Sequence, residues 1–116
     1  MSFLIMLLDQ FSKYIVRNNS SFATNTGAAF GILKGNNFLL SIIAIIAAVI
    51  FIYLIIKYKY FELGFLLGGT LGNLIDRIIL GHVIDFISLP FWPSFNIADS
   101  FNTIGAIILA VRLYKK

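Results

Sequence analysis

Asp76, Asp85 and Asp99 stand with Asn73, Arg77, Asn96 and Asn102 in one stretch of a chain of which only 12% of residues are charged. Ionised groups in so apolar a setting cost free energy and mark function. Two carboxylates brought close cannot both ionise cheaply, so they share a proton, one serving as general base and the other as general acid. Such a pair can activate water against an amide, and that chemistry needs neither a metal nor a covalent intermediate. The sequence carries no HExxH metal motif and no GxSxG elbow. With no cysteine it has no thiolate nucleophile, thiolate metal site or disulfide. The single histidine, His82, follows Gly81 at an expected helix end, where it reads as a capping or interfacial group outside the site. Ser12 and Lys13 are neighbours on an expected helix and point about 100° apart, which argues against a serine–lysine hydrolase.

The elements that must position these groups are membrane spans. A hydrophobic content of 59% and a mean hydropathy of +0.94 leave too little polar surface for a soluble globule. At about 20 residues per span the chain suits one compact helical domain, 1–116, and it lacks the alternating strands of a membrane barrel. Residues 1–17 form a short first span rather than a signal peptide, having no basic start and no small-residue cleavage site. Within it Asp9 and Lys13 stand four apart with the acid first, the favourable order for an ion pair that locks the helix. Residues 18–37 turn to Asn, Ser, Thr and Gly and read as a loop, with Asn25-Thr26-Gly27 a turn signal before Ala28-Ala29-Phe30. Residues 38–56 carry no charge and make the clearest span.

The third span covers 61–80, where Gly64, Gly68 and Gly72 recur every four residues and invite close approach of another helix. Gly69, Asn73 and Arg77 form a second stripe of the same spacing. Asp76 and Arg77 are adjacent and do not face each other, which leaves Arg77 to seek another carboxylate. A second connection, 81–95, holds the breakers Gly81, Pro90 and Pro93 and the interfacial Phe91 and Trp92. The last span, 96–114, sets Asn96, Asp99 and Asn102 or Thr103 on one face near its start. Lys57, Lys59, Arg112, Lys115 and Lys116 then fall on one side, the cytoplasm by the positive-inside rule, with Arg17, Lys34 and Arg77 on the other. Both termini are expected in the cytoplasm. The connections 18–37 and 81–95 share the outer face, which brings Asn25, Asp85 and Asp99 together. Nine basic against five acidic residues reflect this topology rather than a nucleic-acid partner.

The ordered motifs Asp9-Gln10-x-x-Lys13, Asn25-Thr26-Gly27-Ala28-Ala29-Phe30, Gly68-Gly69-x-x-Gly72-Asn73-x-x-Asp76-Arg77, Val83-Ile84-Asp85-Phe86 and Phe95-Asn96-x-Ala98-Asp99 run over almost the whole chain. Together they closely resemble the lipoprotein signal peptidase family, signal peptidase II. The resemblance implies an all-α, four-helix aspartyl endopeptidase of the bacterial inner membrane, with a small loop or β region on the outer face. It removes the signal peptide from diacylglyceryl-modified prolipoproteins just before the lipidated cysteine. On that mapping Asp85 and Asp99 are the catalytic dyad, and Asn25, Gly69, Asn73, Arg77, Asn96 and Ala98 line or support the site. Asp9 and Lys13 match structural positions, and Asp76 matches a motif aspartate outside the dyad with a hydrogen-bonding role. The implied partners are the lipid-modified substrate and membrane lipids, with no metal, cofactor or nucleic acid, and the protein is expected to act as a monomer. The chain departs from the family pattern in a short first span and a short outer segment, only Tyr14 to Thr24 separating the first two motifs.

A different class shares the same outline. Small dimeric multidrug transporters also pack four hydrophobic helices into about this length and depend on a carboxylate in the first helix. Asp9 would have to play that part with Lys13 beside it.

Overall fold

The computed structural model describes residues 1–19, 23–25, 35–89 and 92–115. Most of the expected turn from Asn25 to Phe30 lies outside the described residues, as do Lys34, Pro90, Phe91 and Lys116. Four helices form the body: α1 (Ser2–Asn19), α2 (Asn37–Tyr58), α3 (Phe61–Leu80) and α4 (Ile97–Tyr114). They agree with the expected segments to within two residues at each end. Three of them, α2, α3 and α4, are long and apolar enough to cross a membrane. The 18-residue α1, with Asp9, Lys13 and Arg17 on it, is more polar and completes the bundle by turning Asp9 and Lys13 into the protein.

The helices stop where their backbone chemistry requires. Gly81 ends α3 at φ 80°, a left-handed conformation that costs glycine little, and its N–H returns to the Arg77 carbonyl at 3.2 Å. Lys59 ends α2 in the same way at φ 59°.

At the centre lies α3, which packs against each of the other three helices and buries Leu63, Leu66, Leu67 and Leu74. Its glycine stripe faces α1 in a matched four-residue register. The Ser2 hydroxyl donates to the Gly64 carbonyl at 2.9 Å, Ile5 covers Gly68, Asp9 covers Gly72, and Lys13 meets Asp76. A β-carbon on Gly68 would lie 2.7 Å from Cβ of Ile5, and one on Gly72 would lie 2.6 Å from Oδ2 of Asp9. Only glycine permits this approach. The neighbouring Gly69 and Gly105 do the same for α4, against Ala98 and against Leu66 with the Glu62 carbonyl. Phe65 and Phe101 lock α3 to α4 edge to face, with ring centroids 5.2 Å apart. The outermost helix, α2, buries only Ala48 and exposes a continuous coat of Ile, Leu, Val and Phe side chains, the surface a lipid solvent requires.

Short strands gather at the end of the bundle where α1 and α3 finish. β1 (Ala23–Asn25) pairs antiparallel with β2 (Val83–Asp85), Ala23 opposite Asp85 and Asn25 opposite Val83. β3 (Ile87–Leu89) pairs with β4 (Trp92–Phe95) across an irregular register. The two connections therefore meet at one end, where the resemblance implies a small loop or β region, and the second carries three short strands.

Candidate active site

The site is built around the first turn of α4. Asn96 is its N-cap: the side-chain Oδ1 accepts from the Asp99 N–H at 2.8 Å, and Asp99 Oδ2 accepts from the Asn96 N–H at 3.2 Å. This reciprocal capping box satisfies two backbone donors that a helix start leaves open, and it holds the Asp99 carboxylate at the positive end of the helix dipole. A third donor of that turn, the Ala98 N–H, bonds Oδ1 of Asp9 at 2.8 Å, so α1 caps α4 from across the bundle. Ala98 itself is fully buried beside Gly72 and Gly69, where a larger side chain has no room.

Asn96 also joins the two carboxylates. Its fully buried Nδ2 lies 3.0 Å from Oδ1 of Asp85, 2.9 Å from Oδ1 of Asn73 and 3.1 Å from the Ile84 carbonyl. Asn73 in turn donates to Oδ1 of Asp99 at 2.9 Å. Asp85, carried on β2, is buried at 4% exposure, whereas Asp99 is half-buried. Arg77 is half-buried, and the charges that reach it are those of Asp85 first, then Asp99 and Asp76. Its guanidinium also bonds Oδ1 of Asn37 at 3.3 Å, and Asn37 donates back to the Arg77 carbonyl at 3.1 Å.

Beneath this layer the ammonium of Lys13, 2% exposed, meets Asp9 Oδ2 at 2.6 Å, Asp76 Oδ2 at 2.8 Å and Asn73 Oδ1 at 3.1 Å. The i,i+4 pair expected in α1 is present, and Asp76 joins it. Asp76 also accepts from the Ile84 N–H at 3.0 Å, tying α3 to β2, and from Gln10 at 3.0 Å. A mobile transporter carboxylate needs an open partner side. Asp9 instead is fully buried, ion-paired to Lys13 and bonded to the Ala98 N–H.

The structure thus brings together Asp85, Asp99, Asn73, Asn96 and Arg77, with Gly69 and Ala98 supplying the close α3–α4 contact and Asp9, Lys13 and Asp76 directly below. Asn25 reaches the same end through the pairing of β1 with β2. Asn102 falls one turn from Asp99, its Oδ1 buried against Gly69 without a conventional donor, and Thr103 is exposed. His82 is partly exposed, and its Nδ1 is buried without a partner. Among the described residues no group of three or more His, Asp or Glu is arranged to hold a metal ion.

Sequence reasoning gave no role of their own to Gln10 and Asn37 and did not foresee the Glu62–Arg112 pair. Gln10 donates to Asp76 and to the Gly72 carbonyl at 2.8 Å, and Asn37 clasps Arg77. At the opposite end of α3, the fully buried Glu62 pairs with Arg112 through two hydrogen bonds, one of 2.8 Å, while Tyr60 stacks on the guanidinium at 4.1 Å. The one available signal for this pair was a lone acid, Glu62, opening an apolar span and a lone base, Arg112, closing another.

Comparison with known proteins bears on what such a site is for. The family profile described as signal peptidase (SPase) II matches residues 1–115. A lipoprotein signal peptidase of Caldanaerobacter subterraneus subsp. tengcongensis is 39% identical over an alignment of 134 residues that takes in 97% of this chain and 92% of that protein. The lipoprotein signal peptidase of Pseudomonas syringae pv. tomato is also 39% identical, across 97% of this chain and 82% of its own length. A bacterial membrane enzyme solved by the in meso method superposes with a TM-score of 0.92 at 33% identity, covering 98% of this chain and 85% of the other.

Proposed function

Because the chain belongs to the signal peptidase II family, we propose that it is an aspartyl endopeptidase that cleaves the signal peptide from diacylglyceryl-modified prolipoproteins immediately before the lipidated cysteine, with Asp85 and Asp99 as its catalytic dyad. One observation carries the aspartyl reading: the two carboxylates flank a single buried side chain, Asn96, which bonds Asp85 through its amide and Asp99 through its backbone N–H. Such proximity suits one ionised and one protonated member. The ionised carboxylate takes a proton from water as the water oxygen bonds to the scissile carbonyl carbon, and the protonated one gives its proton to the carbonyl oxygen. In the collapse, the first carboxylate returns its proton to the departing nitrogen as the C–N bond breaks, and the second recovers its own from the hydroxyl. Water is consumed, and no group outside the dyad changes covalently.

In this reading Asn73 and Asn96 orient the carboxylates, and the positive charge of Arg77 favours keeping one of them ionised. Gly69 and Ala98 let α3 and α4 approach closely enough to hold them, and Asn25, on the strand paired with β2, lines the approach. The protein acts as a monomer in the bacterial cytoplasmic membrane. Both termini lie in the cytoplasm and the dyad near the outer face, where the lipidated end of a translocated substrate arrives. Incubating the purified protein with a diacylglyceryl-modified prolipoprotein tests the proposal: loss of the signal peptide, seen as a mobility shift, is expected from the wild type and from neither Asp85→Asn nor Asp99→Asn. Cleavage by either folded variant would overturn it.

A further inference from the structure

Lys13 does more than neutralise its neighbours. An ammonium has three N–H donors, and Lys13 meets three acceptors, of which only two are carboxylates. The third is Oδ1 of Asn73, which also accepts from Asn96 Nδ2 at 2.9 Å. With both donors on its oxygen side, the Asn73 amide has one orientation available, and its NH2 must face Asp99 Oδ1 at 2.9 Å. An amide NH2 can only donate. The other oxygen of Asp99 faces another obligate donor, the Asn96 N–H. Both oxygens of Asp99 are thus met by hydrogen bonds that favour the ionised form.

We infer that Lys13 is a positioning residue for the dyad: by locking the Asn73 amide with its NH2 toward Asp99, it favours Asp99 as the ionised general base. The inference rests on the aspartyl reading above and deepens it. Asp99 is also the more exposed of the two, as a water-activating base must be. The charges that act on Asp99 are those of Lys13 from α1 and Arg77 from α3, while Asp76 of α3 shares Lys13 and Asp85 of β2 shares Asn96. Among them only Lys13 acts on Asp99 through the amide that touches it.

The test is the pH–rate profile of signal-peptide release from a diacylglyceryl-modified prolipoprotein. Lys13→Met alone strands Asp9 and Asp76 and endangers folding, so it is combined with Asp76→Asn, and the double variant is compared with Asp76→Asn alone. Asn73→Asp gives an independent route: it keeps an acceptor for Lys13 but replaces the donor facing Asp99 with a carboxylate oxygen. In both cases Asp99 holds its proton to higher pH. The acidic limb of kcat is expected to move up by about half a pH unit or more, with kcat at the wild-type optimum down about tenfold and KM little changed. Folding is checked by thermal unfolding in detergent. A folded variant whose acidic limb coincides with that of its reference overturns the inference, however far kcat has dropped, because a merely structural lysine changes the amount of active protein and not the limb. Cleavage by folded Asp99→Asn would instead remove the aspartyl reading on which the inference stands, so the two failures are distinguishable.

Discussion

At the residue scale, the burial of ionisable groups is the feature that most constrains the chain. Asp9, Lys13, Glu62, Asp76 and Asp85 are all buried, and each sits in a network that compensates the loss of water. In the proposed dyad both carboxylates bond one residue, Asn96, Asp85 through its side-chain amide and Asp99 through its backbone N–H. Asp85→Asn and Asp99→Asn should each reduce cleavage by about a hundredfold or more, since an amide cannot exchange the proton that either role demands. Both should remain folded, because Asn is nearly isosteric and removes a charge that is costly in an apolar setting. Turnover of a lipidated substrate, with thermal unfolding as the control, checks both halves of the expectation. Glu62 lies far from this chemistry. Glu62→Gln weakens the pair with Arg112 and should lower the unfolding temperature by about 5 °C while leaving kcat unchanged; a fall in kcat at full stability would connect that end of α3 to the site.

At the element scale, α3 is gripped from two sides by glycines with different demands. Gly68 leaves 2.7 Å between a would-be β-carbon and Ile5, whereas Gly64 leaves 3.6 Å to its nearest neighbours, an ordinary contact. Gly68→Ala should therefore destabilise the protein by about 1–3 kcal/mol, and Gly64→Ala should be nearly neutral. Thermal unfolding in detergent separates the two, and equal effects would mean that α1 does not sit in this register. The start of α4 is stabilised unusually, by its own capping box and by Asp9 from α1. Local helix chemistry and site geometry are the same hydrogen bonds here, so the position of Asp99 is as rigid as the cap.

At the scale of the whole molecule, the bundle has a polar end, where α1 and α3 finish, and an end where Lys57, Lys59, Arg112 and Lys115 lie. Four alternating helices place Asn36 and Lys59, both exposed and at opposite ends of α2, on opposite sides of the membrane. Single cysteines at these positions should label from opposite sides with a membrane-impermeant reagent; labelling of both from one side would overturn the topology. A dyad that needs one carboxylate charged and one neutral also gives the whole enzyme a rate optimum, with activity falling toward acid as the base protonates and toward alkali as the acid ionises. A rate that rises steadily across the whole range would contradict it.

Whatever depends on spacing along one helix was legible in the sequence. Asp9 and Lys13 four apart, glycine at every fourth position of α3, and Asn96 three before Asp99 each specify neighbours within a turn or two, because the helix period alone sets those distances. Composition determined the membrane setting in the same direct way, and the ordered motifs identified the family. The tertiary structure decided the partners across elements: Asp76 and Asn73 for Lys13, the Ala98 N–H for Asp9, Asn37 for Arg77, Arg112 for Glu62. Those pairs are separated by 40 to 89 residues. No periodicity links them, and those that join α1, α3 and α4 meet because glycines let α3 approach α1 and α4 closely enough for side chains to reach from one helix to the next. The resemblance implied a loop or β region on that face, but the strands' positions and pairing were beyond the residue pattern: three or four residues are too few to display an alternation, and their pairing is set by the helices that bring the two connections to one end.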